Sequence, residues 1–371
     1  MPGFWLVVSM GSGSLDRTID GTWRPLVAST RGTVPHRPGK EQGLSVMAAP
    51  RPMDGPRALE AWRTVVGSAW LEPMELQPVD RKRKPIWRVT GEDGRQWVLK
   101  NLPEVPPGVG PVEEYRVLCY LQAAGLPVAA PIITDDGLIA FNADNLRTHP
   151  DDTQPTGRHA YSLMPLLLND PALRESPDLA NTIGAGIGRL DRALAQCPWQ
   201  LTSFTDDPAR QILGEQYVRL PRELRAVISP LRDRLYSAVV DLPMQRIHGD
   251  CNVGNLLVHN GTVTGYIDLD HLPTGPRIYD LGNYLVTRLN SHVDHGAPDA
   301  MMAVLGHYVA GYHATYPLTE RELAAVVPVM LTIALALADW HLHGPVPNLA
   351  AYQRDHRLIQ WLTPRYDTLQ R

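Results

Sequence analysis

A chain of 371 residues with 44% apolar content has enough material for two lobes with separate cores, and its net charge of -4 offers no general attraction for nucleic acid or anionic lipid. Cys119, Cys197 and Cys251 are scattered without a C-x-x-C partner, which argues against a disulfide framework or a cysteine zinc site and fits a reducing cytoplasm. Neither nucleic acid nor a membrane is therefore an expected partner.

Residues 1–56 are rich in Gly, Pro, Ser, Thr and Arg without strand or helix periodicity, and are expected to form a disordered extension. From there Leu59, Trp62, Val66 and Ala69 follow helical spacing. Strands are predicted at Met74 to Val79, Ile86 to Thr90 and Arg95 to Leu99, the last two joined by a hairpin turn at Gly91-Glu92-Asp93-Gly94. Between the first two lies Asp80-Arg81-Lys82-Arg83-Lys84-Pro85, which reads either as a solvated loop or as a cationic replacement for backbone amides that hold phosphate.

On the third strand Trp97 and Leu99 face one side, Val98 and Lys100 the other. The next helix opens at Pro111 and closes at Gly125, following the Pro-in, Gly-out asymmetry of helices. It carries Glu114 on the same face as Leu118 and Leu121. A carboxylate on an apolar face needs a cationic partner, and Lys100 is the candidate. Further strands are predicted at Leu138 to Phe141 and Tyr161 to Met164, separated by a polar loop from Asn142 to Arg158.

After Met164-Pro165-Leu166 the pattern turns helical. Leu179, Ile183, Ile187, Leu190 and Leu194 mark one long helix starting at Pro177, and Leu224, Ile228, Leu231 and Leu235 mark another. The apolar run from Ala324 to Ala338 is shorter than the roughly 20 residues of a membrane span and contains Pro328, so it reads as a buried helix, begun by the capping box Thr319-Glu320-Arg321-Glu322. Seven histidines between His292 and His356 show no H-E-x-x-H spacing.

The densest chemistry lies between Arg246 and Gly282. There His248-Gly249-Asp250 is followed after four residues by Asn255, and Asn260-Gly261 predicts a type I′ hairpin turn pairing Leu256 to His259 with Thr262 to Gly265. In that register Asn255 opposes Tyr266, and Asp268 is its diagonal neighbour on one face. Two oxygen ligands so placed can share a small cation such as Mg²⁺, which takes few protein ligands and completes its shell with water and nucleotide phosphates. Asp250, on the tight turn made by Gly249, is left to act on a substrate proton.

H-G-D, four residues, N, then I-D-L-D at Ile267 to Asp270 and Y-D-L-G at Tyr279 to Gly282 resembles the aminoglycoside phosphotransferase and type II homoserine kinase branch of the protein-kinase-like enzymes. The resemblance implies an α+β fold of two lobes: a small antiparallel β N-lobe, about 57–163, and a mainly helical C-lobe, about 164–371. It implies transfer of the γ-phosphoryl of ATP, or GTP, to a hydroxyl, with Asp250 as base and Asn255 and Asp268 on Mg²⁺. Lys100, held by Glu114, resembles the family's phosphate-contacting lysine, with Val98 beside it, and Met164 and Leu166 sit where the family's hinge offers backbone to adenine. His248, Asp270 and Asp280 are supporting residues, Asp280 also being well placed as a helix N-terminal acid.

Where the family has Leu-His, this chain has Leu190-Asp191, and the glycine-bearing phosphate loop is absent. From Asn283 onward seven acidic residues face six arginines, too little excess negative charge for a polycation, so a small metabolite or amino-alcohol hydroxyl is expected as acceptor. An aminoglycoside antibiotic, a serine or threonine of a protein, and a catalytically silent nucleotide-binding scaffold are the alternatives.

Overall fold

The computed structural model describes residues 73–78, 86–91, 94, 96–102, 108–132, 141–142 and 160–170, and nearly all of 173–369, together with two short strands, β1 (Leu15–Arg17) and β2 (Trp23–Pro25). β1 and β2 pair antiparallel, a hairpin that the sequence pattern did not announce. The rest of the expected extension, the helix around Leu59 to Ala69, the cationic loop Asp80 to Pro85 and most of the polar loop after Asn142 lie outside the described residues.

The first part of the fold is a five-stranded antiparallel sheet. β3 (Pro73–Pro78), β4 (Ile86–Gly91), β5 (Gln96–Asn101), β6 (Phe141–Asn142) and β7 (Ala160–Pro165) lie in the order β3-β4-β5-β7-β6. Each of the first three agrees with its predicted strand to within a residue or two. The predicted strand from Leu138 to Phe141 is described only as β6. Alternation along β5 buries Leu99 completely against the core. Helix α1 (Pro111–Ala123) follows, entered through Gly110, whose backbone N–H is accepted by Glu113. Gly125 ends it at φ +81, a conformation that a residue with a Cβ adopts only at a cost.

The second part is helical: α2 (Pro177–Ala195), α3 (Arg222–Ile228), α4 (Arg232–Val239), α5 (Tyr279–Asp294), α6 (Pro298–Thr315), α7 (Glu320–His343) and α8 (Leu349–Leu362). The single helix expected across Leu224 to Leu235 is two, because Pro230 has no N–H to donate to a helical ladder. Helices α2 and α6 lie in backbone contact: a Cβ on Gly184 would overlap the carbonyl of Tyr308, and one on Gly311 that of Asn181.

The run expected at Ala324 to Ala338 is part of the longer α7, whose capping box is formed as anticipated by Thr319 and Glu322. By length and composition α7 could cross a membrane, contrary to the expectation from run length. Of its apolar window, however, 78% is buried inside the protein, against α4, α5 and α8 among others. It is the central core helix of this half.

Between the sheet and the helices sits a small β layer. β8 (Met244–Arg246) pairs with β11 (Thr274–Pro276), and β9 (Leu256–His259) with β10 (Thr262–Tyr266). The turn between β9 and β10 is as predicted, with Asn260 at φ 50 and Gly261 at φ 71. The register beyond it is not. A bulge between Val263 and Gly265 makes Tyr266 pair with Leu256 rather than Asn255. The bulge residue Thr264 donates its hydroxyl to the Leu168 carbonyl at 2.6 Å, a bond to a segment remote in sequence that no local pattern encodes.

The segment entering the helical part is fixed to this hairpin. Val258 N–H donates to Asn169 Oδ1 at 3.1 Å, Asp170 N–H to the Val258 carbonyl at 2.7 Å, and Asp170 also bonds His259 Nδ1 and Asn260 N–H, each at 2.8 Å.

Candidate active site

The centre of the site is the turn between β8 and β9. Gly249 stands at φ +80, and a Cβ there would lie 2.5 Å from Pro273 Cδ, so both its conformation and its packing demand glycine. Asp280, in the first turn of α5, accepts the backbone N–H of His248 at 2.6 Å and of Gly249 at 2.9 Å, and is fully buried. His248 sits 3.0 Å from the Ile267 carbonyl through Nε2 and 3.3 Å from Asp250 N–H through Nδ1, which fixes the tautomer with the proton on Nε2. Of the supporting residues predicted from sequence, Asp280 ties the turn to α5 and His248 ties it to the residue after β10.

Asp250 is held more firmly than its sequence position suggested. Asn252 Nδ2 donates to Oδ1 at 2.8 Å and Asn255 Nδ2 to Oδ2 at 2.8 Å, while Asn255 Nδ2 also lies 2.9 Å from the Asp250 carbonyl. Two amides therefore fix the carboxylate plane. Asn252 was not among the sequence candidates, although an Asn two residues after an Asp in a tight turn is a recognisable signal for a side-chain-closed turn; its Oδ1 accepts Gly254 N–H at 2.7 Å. With its nitrogen engaged on Asp250, Asn255 has its carbonyl oxygen to offer a ligand.

Asp268 follows β10 in the left-handed region at φ 59, a conformation costing on the order of 1 kcal/mol that Asp tolerates better than most residues. Ile267 N–H donates to the Asn255 carbonyl at 3.0 Å, so Asp268 stands one residue beyond Asn255's backbone partner despite the altered register. This bond stands where the expected pairing of Asn255 with Tyr266 does not form.

Lys100 requires a correction. Its described ion pairs run to Asp268 Oδ1 at 2.7 Å and Asp270 Oδ2 at 3.4 Å, and not to Glu114 as anticipated. The reason is the loop ahead of α1: Val109 N–H donates to the Asp270 carbonyl at 2.9 Å, which brings the Asp268–Asp270 loop onto β5. Glu114 acts at longer range. Burial alone would lower the Lys100 ammonium, but the charges of Asp268, Asp270 and Glu114 outweigh it and hold the group well above the ordinary lysine value. Burial also pushes the Glu114 carboxyl up, against the pull of Lys100.

This cluster sets one ammonium against three carboxyls, and among the described residues no hydrogen-bond donor reaches the buried Asp270 Oδ1. Hard oxygen donors with surplus negative charge suit a divalent cation. Among the described residues no three His, Cys, Asp or Glu side chains could hold a metal ion together, so a cation at the candidates Asn255 and Asp268 would have to complete its shell with other ligands. Met164 pairs with Val98 across β7 and β5, and Leu166 N–H reaches the Gln96 carbonyl at 3.4 Å; half-buried Met164 and Leu166 lie where the chain leaves the sheet for the helices.

A small antiparallel sheet over a helical body, with a lysine from the sheet meeting an aspartate beside an Asp–Asn turn, defines the protein-kinase-like class of phosphotransferases. Residues 75–325 match the profile described as the phosphotransferase enzyme family (APH), and the chain belongs to that family. Stress response kinase A of Salmonella choleraesuis strain SC-B67 is 28% identical over 218 residues, covering 56% of this chain and 61% of the relative; that of Escherichia coli K12 is 25% identical over the same share. The chain thus spans about three fifths of the length of the curated relatives it matches.

Among solved structures, a microcompartment-associated aminopropanol kinase superposes with TM-score 0.61 at 16% identity, covering 84% of this chain and 97% of that one. The amicoumacin kinase hAmiN gives 0.57 at 15%, with 85% and 94% covered, and an aminoglycoside phosphotransferase from Alicyclobacillus acidocaldarius 0.57 at 14%, with 83% and 93% covered. At these identities the likeness is one of fold.

Proposed function

We propose that this chain transfers the γ-phosphoryl group of ATP or GTP to the hydroxyl of a small metabolite or amino alcohol. The observation that carries the reading is the Asp250 carboxylate, held in plane by Asn252 and Asn255, the second of which is itself a candidate cation ligand. Base and cation site are thereby built from one hydrogen-bonded unit, so a hydroxyl beside Asp250 has a defined place relative to the phosphoryl group.

In this reading Asp250 accepts the hydroxyl proton, Asn255 and Asp268 hold Mg²⁺, and Lys100 meets the nucleotide phosphates from its position between Asp268 and Asp270. The cation supplies charge neutralisation on the phosphate oxygens, which is most of what phosphoryl transfer asks of a protein. The backbone from Met164 to Leu166 receives the base. Support for nucleotide and divalent cation comes from the amicoumacin kinase structure, a complex with AMP-PNP and Ca²⁺. The fold neighbour named as an aminopropanol kinase supports an amino-alcohol acceptor.

So does local charge. Of the seven acidic residues after Asn283, Asp294, Glu322, Asp339, Asp355 and Asp367 already pair with arginine or histidine, which leaves little to attract a polycation. A second reading, a kinase acting on serine or threonine of a protein, is favoured by a relative from Salmonella typhimurium named Serine/threonine protein kinase RdoA. Against it, the span between Asp270 and Asp280 is taken up by β11 and the approach to α5, with no room for a long activation segment.

The deciding experiment is ADP release by purified protein with ATP and Mg²⁺ against a panel of amino alcohols, homoserine, sugars, kanamycin, hygromycin and a generic protein substrate. Turnover restricted to small hydroxyl compounds supports the proposal. Turnover on protein alone, or on none of them, defeats it.

A further inference from the structure

Behind the catalytic turn, Asp191 of α2 and Asp280 of α5 are both fully buried, and neither makes an ion pair among the described residues. Asp280 accepts two backbone N–H groups, from His248 and Gly249. Asp191 Oδ2 accepts the Tyr312 hydroxyl at 2.8 Å, but no donor among the described residues reaches its Oδ1. The Tyr312 hydroxyl bonded to Asp191 also reaches the carbonyl of Arg277, three residues before Asp280, and the Asp280 charge acts directly on Asp191. Two ionised carboxylates have no hydrogen to share, and buried like charges in contact repel strongly; one proton resolves both difficulties.

The proton has a preferred home. Two N–H donors stabilise Asp280 as the anion, whereas Asp191 has only one hydroxyl, which also lies 3.1 Å from the Arg277 carbonyl and has a single hydrogen for both acceptors. Arg277 is the cation whose charge acts on Asp191, and its guanidinium is engaged by Glu322 and stacked on Tyr316 at 4.7 Å. The other titratable groups facing the pair are Tyr312, Cys251, Asp250, Asp206, Tyr279 and Tyr266, all neutral or acidic.

We propose that Asp191 is a positioning residue: a neutral carboxylic acid that donates from Oδ1 to Asp280, so that Asp280 keeps both of its acceptor bonds to the His248–Gly249 backbone. Asp191 acts on the turn through Asp280 and touches no reacting atom. Burial and the Asp280 charge both raise its carboxyl well above the ordinary range, in keeping with this. When the proton is lost, repulsion between the two carboxylates loosens the anchor under Asp250.

The sign of the pH effect follows. A carboxyl whose folded value is raised holds a proton that the unfolded chain has already lost, so its presence makes stability fall as pH rises above about 4, until the folded value is passed. Over that window the folding constant of the wild-type protein should drop by about tenfold per pH unit relative to Asp191→Asn, a neutral near-isostere that can still donate to Asp280 and accept from Tyr312. The test compares urea-unfolding curves of the two full-length proteins from pH 5 to 9, and follows the His248 and Gly249 amide resonances of the wild type alongside the Asp191 side-chain carbon by NMR.

The expected results are curves that diverge with pH in favour of Asp191→Asn, and amide shifts that share a midpoint with the Asp191 carboxyl. Parallel curves, or an Asp191 carbon already ionised at pH 7, overturn the proposal. The NMR titration uses the wild-type protein alone, so it decides the question even if the variant does not fold. Neither readout depends on phosphoryl transfer.

Discussion

The anchor that Asp280 provides can be weighed in isolation. Replacing Asp280 by Ala removes two charge-assisted acceptor bonds, at 2.6 and 2.9 Å, from backbone N–H groups in a part of the protein where Asp280 itself is fully buried. Hydrogen bonds to charged groups contribute about 1.5–3 kcal/mol each, and both amides would be left without a partner, so the loss should be about 3–6 kcal/mol. Against a total stability of about 5–15 kcal/mol this is severe but short of abolishing the fold at low temperature. With roughly 2–4 °C of melting temperature per kcal/mol in larger domains, the midpoint should fall by about 6–24 °C.

Differential scanning calorimetry reads the midpoint, and hydrogen exchange at His248 and Gly249 reads the local opening. Exchange at these two amides should accelerate more than elsewhere in the small β layer. Asp280→Asn should behave like Ala, because its amide can face only one of the two donors with an oxygen. A melting point within about 2 °C of the wild type would show that the two bonds carry no net stability, and the argument for Asp280 as the anchor would fail.

Other outcomes follow from the same geometry. Asp250→Asn should keep nucleotide binding in a calorimetric titration while turnover drops by about 10² to 10⁴, and a variant with wild-type turnover would remove Asp250 from the role of base. Asp268→Ala should weaken Mg²⁺-dependent nucleotide binding itself, and an unchanged titration would overturn its assignment to the cation. Asp206 is a second buried carboxyl, pushed up to about 7 by burial, with the charges of Asp207 and Asp280 adding to it. Because its folded value is raised, it makes stability fall between about pH 4 and 7; Asp206→Asn should flatten that part of the stability profile, and an unaltered profile would refute it. Expression in a sensitive host should give no protection against kanamycin or hygromycin, and a clear rise in resistance to either would move the acceptor to the antibiotic class.

What could be read from the chain in advance was whatever is local. His248-Gly249-Asp250, Asn255 and Asp268 were found because a glycine turn, an Asn-Gly hairpin and fixed spacing leave their mark on neighbouring residues. The Pro111 start and Gly125 end of α1 were found for the same reason. What was missed depends on partners far along the chain. Lys100 meets Asp268 across 168 positions, and nothing near Lys100 distinguishes that partner from Glu114. The bulge at Thr264 is held by Leu168, and the environment of Asp191 is assembled from α5 and α6. Pro230 is a different case, since a proline within an apolar helical pattern is a local signal, and here the periodicity of Leu224 to Leu235 outweighed it in the reading.

The bonds of Asn169, Asp170 and Leu168 to the β9–β10 hairpin set the unit that could be moved between proteins. The chain segment that leaves the sheet is stitched to the strands that bear Asn255 and lead to Asp268, so the two behave mechanically as one part although nearly ninety positions separate Asp170 from His259. A chimaera that exchanges the hairpin alone would cut Val258 from Asn169 and Asp170 and leave the graft seated on a mismatched edge. Recombination that respects the molecule has its crossover points before Leu166 and after Asp270, carrying both pieces together, and substitutions selected at Leu168 to Asp170 will be inherited usefully only with the hairpin they were selected beside.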